Sequence, residues 1–115
     1  MSDFYNVQKI KKAKKIHKCE CCNSEIQQGE SYEIHAGKYE GYFFTFKICP
    51  ICSKILSYWC HDLDNREFNL DELIGELWYV EKVHNLLLQI PHPSDFVKGC
   101  IEDYKQMQEE REQHG

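Results

Sequence analysis

No run of apolar residues in this chain approaches the roughly eighteen to twenty needed to cross a bilayer. A mean hydropathy of −0.64 and 29% charged residues point the same way, so no membrane span is expected. The stretch 1–18 has lysines but no apolar core, and it does not read as a secretory signal. Internal repeats are lacking, and so are a glycine-rich phosphate loop, a nucleotide fingerprint and a cysteine–histidine pair set up for nucleophilic attack. An HNH-type nuclease needs histidines and a polarising Asn on a ββα element. Here the aromatic stretch 32–48 offers only His35, and the segment after Cys52 offers neither Asn nor His before His61. The sequence reads as non-enzymatic, with no catalytic residue, and a nuclease is the least favoured reading.

What is present is a short chain dense in sulfur. At 115 residues, 42% hydrophobic and 13% aromatic, it is expected to fold as one domain, or as a small metal module with a helical appendage. Seven cysteines stand at 19, 21, 22, 49, 52, 60 and 100. Without a secretory signal they suggest a reducing compartment, the cytoplasm, where close cysteine pairs serve as metal ligands more often than as disulfides. Two pairs have the C-x-x-C spacing, Cys19/Cys22 and Cys49/Cys52, separated by twenty-six residues. Together they supply the four soft ligands of a closed tetrahedral Zn²⁺ site. Cys21 is left outside that set, and Asn23 falls where a cysteine knuckle turns through a left-handed conformation, which Asn tolerates.

Between the pairs lies a hairpin pattern. Tyr32 to Ala36 alternates as a strand, Gly37 to Gly41 reads as a loop, and Tyr42 to Ile48 returns as an aromatic strand with Phe44, Phe46 and Ile48 on one face. Pro50 suits the first turn of a helix reaching His61, so the second cysteine pair is expected at a helix N-terminus. Downstream, Asn69 and Glu72 have capping-box spacing. An apolar stripe of Leu70, Leu73, Ile74, Leu77, Val80, His84 and Leu87 predicts a single helix ending near Ile90, before Pro91-His92-Pro93. Ser94 is then expected to cap a last helix, frayed from Gln108 onward.

The expected fold is small α+β: knuckle, β-hairpin, knuckle and helix, the order of a treble-clef zinc finger, followed by an α-helical hairpin. Three segments result: a basic N-terminal arm (1–18), a treble-clef zinc module (19–61) and an acidic α-helical hairpin (62–115) packed on it. Residues 16–60, with Ile16-His17-Lys18-Cys19, Cys22-Asn23, Ile26, Gly29-Glu30, Tyr32, Tyr39-Glu40-Gly41, Phe44, Cys49 and Cys52, resemble the small treble-clef zinc fingers of bacteriophage and mobile-element proteins. Members of that group often carry His at the third ligand position, where this chain has Cys49. The resemblance implies a structural zinc ion in a small accessory protein, without implying a shared activity.

Charge divides the chain. Residues 1–61 hold nine basic and six acidic side chains, a balance of +3, whereas 62–115 hold five and thirteen, a balance of −8. The first expectation is therefore a zinc-stabilised binding protein whose acidic helical face contacts a protein partner through Asp71, Glu72, Glu76, Glu102, Asp103 and Glu109. For a phage source this becomes an accessory or inhibitor protein acting on a host nucleic-acid enzyme or defence complex in the host cytoplasm. The alternative is a nucleic-acid-binding regulator using Lys11, Lys12, Lys14, Lys15, Tyr39 and Tyr42. A homodimer through the Leu70–Leu88 stripe is a third reading.

Overall fold

The computed structural model describes residues 4–39, 41–63 and 70–114. Five strands and four α-helices follow one another: β1 (Phe4–Ile10), β2 (His17–Lys18), β3 (Glu25–Ile26), β4 (Tyr32–Tyr39), β5 (Tyr42–Ile48), α1 (Pro50–Ser57), α2 (Leu70–Leu77), α3 (Glu81–Leu87) and α4 (Asp95–His114). The chain is thus a small α+β protein.

The hairpin is longer than expected. β4 continues to Tyr39 and pairs with β5 from Glu33↔Ile48 to Tyr39↔Tyr42, leaving Glu40-Gly41 between the strands. Gly41 has φ +86°, a left-handed conformation that its missing Cβ permits. Gly37, expected in the loop, lies within the strand instead, and Phe4 and Phe44 crowd it so closely that a Cβ would collide.

A third strand takes up part of the expected basic arm. Phe4–Ile10 pairs antiparallel with β4, Phe4 opposite Lys38 and Ile10 opposite Tyr32, so the sheet order is β1-β4-β5. The lysines that follow sit in a connector pinned to the protein at Ala13. The Ala13 N–H donates to Glu30 O, the Gly29 N–H donates to Ala13 O, and Ala13 itself is buried. Main-chain bonds and one buried methyl fix this segment, so repulsion among the lysines is met by letting their side chains radiate into water. Ile16 is 57% exposed.

The helical half also differs from expectation. The stripe predicted as one helix breaks after Leu77: Trp78 and Tyr79 turn, Val80 adopts extended φ −85° and ψ 127°, and α3 restarts at Glu81. Three successive aromatic or β-branched residues are weak helix formers, which makes this the cheapest place to bend. The bend lets both halves of the stripe face one core, where Leu73, Ile74, Leu77, Val83 and Leu87 are at most 3% exposed. That stripe is consumed within the chain, and only Leu88 of it stands out at 52% exposed. The expected Asn69 cap lies outside the described residues. Beyond α1 the backbone widens into one π-helical turn, Tyr58–Asp62. At the other end α4 runs on to His114, its Glu, Lys, Gln and Arg residues being strong helix formers.

His84 is buried on α3 with its ring stacked on Tyr104 at 3.9 Å, and its Nδ1 has no hydrogen-bond partner. Burial first, and then the Lys105 charge, push its pKa below the ordinary histidine value, against a smaller opposing effect of Glu81. The unfolded chain therefore binds this proton at a higher pH than the folded one. The resulting stability is present above about pH 6.5 and is lost as pH falls toward the folded value. We expect the melting temperature to fall from pH 7.5 to pH 5.5 and the decrease to shrink in His84→Phe. An unchanged pH profile in that variant would contradict this.

Candidate metal centre

The first knuckle is built by backbone bonds around Cys19–Ser24. The Asn23 N–H donates to Cys19 O at 2.8 Å and the Cys19 N–H donates to Ser24 O at 2.9 Å, closing a tight turn. Asn23 takes φ +61°, the only positive φ at a non-glycine among the described residues. The short β2–β3 pair, His17↔Ile26 and Lys18↔Glu25, straps both ends of this knuckle together. β5 then delivers Cys49 to the N-terminus of α1. There its Sγ accepts from the Cys52 N–H at 3.4 Å and Pro50 occupies the first turn.

These elements bring Cys19, Cys22, Cys49 and Cys52 together. All four are buried and their sulfurs lie within 4.8 Å of one another. Cys22 Sγ and Cys49 Sγ are 3.9 Å apart. Ligands about 2.3 Å from a tetrahedral Zn²⁺ would stand about 3.8 Å from each other, so the spacing fits. Backbone donors support the sulfur charge: the Cys22 and Cys49 N–H groups reach Cys19 Sγ at 3.5 and 3.3 Å. The helix dipole adds to this at Cys49 and Cys52. The four residues are therefore positioned to bind a metal ion, and an all-sulfur donor set is consistent with zinc.

Left to themselves, four crowded thiols divide their protons unequally. Hydrogen bonds from Cys19, then Cys49 and Cys52, hold Cys22 far below an ordinary thiol, whereas those with Cys19 and Cys22 push Cys49 up. A divalent cation resolves that competition by holding every sulfur as thiolate. Cys21 is buried beside the cluster but is not part of it. Cys60 is half-buried and Cys100 buried, and burial raises the pKa of both. Among the described residues no second group of three or more ligand side chains converges.

The other candidates are dispersed over the surface. Lys11, Lys12, Lys14 and Lys15 are exposed on the connector after β1, and Tyr42 is 79% exposed. Glu72 and Glu76 are exposed on α2, as are Glu102, Asp103 and Glu109 on α4. The side chains of Asp71 and Tyr39 lie outside the described residues.

Two polar assemblies escaped the sequence reading. In the first, Tyr5 hydrogen-bonds His35 Nδ1, His35 Nε2 donates to Glu33 Oε1 at 3.1 Å, and Ser53 Oγ donates to the same oxygen at 2.9 Å. The chain of bonds ties β1, β4 and α1 together, and both ring nitrogens of the buried His35 are engaged. Burial, with smaller contributions from Cys60 and Glu33, pushes the Tyr5 hydroxyl up to about 12. Alternation along 4–10, with Tyr5 and Val7 against Asn6 and Gln8, was the available signal.

The second assembly joins the metal knuckle to α4. The Ser94 N–H donates to Ser24 Oγ at 3.0 Å, and Ser94 Oγ donates to Cys22 O at 2.5 Å. Ser94 Oγ also accepts from the Val97 N–H at 3.2 Å, so one hydroxyl caps the helix and grips the knuckle. Nothing local signals a contact between residues seventy positions apart.

Comparison with known proteins found no matching family model, no matching curated protein and no matching solved structure.

Proposed function

We propose that this chain is a non-enzymatic binding protein assembled around a structural zinc ion in a treble-clef arrangement. The observation that carries the reading is the set of four buried sulfurs at mutual ligand distance. Four protein ligands complete a tetrahedral sphere and leave no position for a reactive water. His35, the histidine that a hairpin-based nuclease would need, already has both ring nitrogens bonded within the protein, which speaks against that chemistry.

In this reading the zinc module is a rigid platform and the acidic half makes the contact. The exposed carboxylates Glu72, Glu76, Glu102, Asp103 and Glu109 suit a basic surface on a protein partner, of the kind that ordinarily holds nucleic acid. A phage-type accessory protein inhibiting a host nucleic-acid enzyme or defence complex, in the host cytoplasm, is the biological version of this proposal.

The experiment is affinity capture from host lysate at low salt, comparing the wild type with Glu102→Lys/Asp103→Lys/Glu109→Lys. A partner retained by the wild type, lost by the triple variant and released by 0.5 M salt is the expected result. Recovery of nothing above background, or equal recovery with the variant, would contradict the acidic-face contact.

A further inference from the structure

The pairing register sorts the sheet's side chains onto two faces. Glu33, His35, Phe46 and Ile48 share the face on which Ser53 of α1 packs. The opposite face receives Phe4, Asn6 and Gln8 from β1, Lys38 from β4, and Phe43 and Lys47 from β5. Its near end is closed by His17, whose ring meets Tyr32 at 4.8 Å. Toward the hairpin tip it is open.

Two aromatic rings stand on that open end. Phe4 is 50% exposed and Phe43 is 74% exposed, with ring centroids 6.4 Å apart and planes inclined by 60°. The ammonium of Lys38 lies 5.1 Å over the Phe43 ring. Asn6 and Gln8 are exposed in the adjoining strand, their amides able both to donate and to accept.

Among the described residues, the side chains that the register puts on this face include no carboxylate. The three strands of the sheet contain a single carboxylate, Glu33, which sits on the other face in the grip of His35 and Ser53. Glu20, at the β5 edge, accepts the Lys47 N–H. Cations, exposed aromatic rings and amides match the chemistry of an unpaired nucleotide strand. Phosphates take the cations, base faces take the rings, and base edges take the amides. A duplex hides its base faces and cannot use the rings.

We propose that this face binds single-stranded nucleic acid, stacking bases on Phe4 and Phe43 and seating phosphate on Lys47. The surface is separate from the acidic hairpin, so either interaction can fail without the other.

The test is fluorescence anisotropy of the zinc-loaded full chain with labelled ten-nucleotide oligo-dT, oligo-rU and a matching duplex, from 0.03 to 0.2 M salt. Expected are tighter binding of the single strands than of the duplex and a roughly ten-fold loss for each of Phe4→Ala and Phe43→Ala. Lys47→Gln should also give a shallower salt slope. Preference between the DNA and RNA strands would identify the natural backbone. Both aromatic side chains are exposed, so zinc content and circular dichroism should match the wild type; Phe43→Ser provides an independent variant. Equal binding of the duplex, or no change in the aromatic variants, would overturn the proposal. So would sedimentation showing that Phe43→Ala dissociates a dimer while no oligonucleotide binds.

Discussion

Cys52→Ser is expected to retain no stoichiometric zinc and to lose the native circular dichroism of the cysteine module at 25 °C. The reason is the size of the energy at stake. A structural zinc site contributes apparent binding of roughly 10–16 kcal/mol at neutral pH, which exceeds the total stability of most domains of this size. The buried apolar residues at the cluster, chiefly Ile26, Ile48, Ile51 and Ile55, are few. They make a core that a module of this length does not build unaided. Cys22→Ser should behave in the same way. Cys21→Ser provides the contrast: its thiol is buried beside Cys52 yet outside the cluster, so zinc content should stay at one per chain with a stability loss of about 1 kcal/mol. Equal damage from Cys21→Ser and Cys52→Ser would mean that the ligands are assigned wrongly.

Ser94→Ala should cost roughly 2–3 kcal/mol, a large effect for one hydroxyl. It removes the cap of α4, a loss of about 1 kcal/mol in ordinary helices. It also leaves the Cys22 carbonyl without the 2.5 Å bond from Ser94 Oγ, at a further cost of about 1–2 kcal/mol. Because Cys22 is one of the four cysteines positioned to bind the metal, the loss should reach the cluster: zinc should leave Ser94→Ala faster than the wild type when a chelator is added. Ser94→Thr keeps the hydroxyl and should restore most of the difference. Denaturant unfolding and chelator-driven zinc release give the two readouts. A destabilised variant with an unaltered release rate would show that Ser94 caps the helix without holding the knuckle.

These two sites differ in how far the sequence disclosed them. The four sulfurs were legible because ligand spacing is local: two residues separate the members of each pair, and the left-handed turn at Asn23 and the proline at position 50 are written beside them. The β4–β5 hairpin was legible for the same reason, its alternation being read within one short stretch. Ser94 was legible as a cap, through its position after Pro93, but its grip on Cys22 depends on how the helical half folds back. β1 was missed because the apolar residues of 4–16 fit a spacing of three as well as a spacing of two. The choice is made by a partner strand nearly thirty residues away. The break at Trp78–Val80 was hidden inside a stripe that keeps its period on both sides. The His35 network follows from the missed strand, since Tyr5 meets His35 only once β1 has joined the sheet.

Whether Cys19, Cys22, Cys49 and Cys52 hold one structural zinc ion is decided by zinc-edge X-ray absorption together with metal analysis of the purified wild-type chain. The purified chain should hold one zinc with four sulfur scatterers at about 2.3 Å and no oxygen in the first shell. A well-folded chain without metal, or a zinc ion carrying a water ligand, would contradict it.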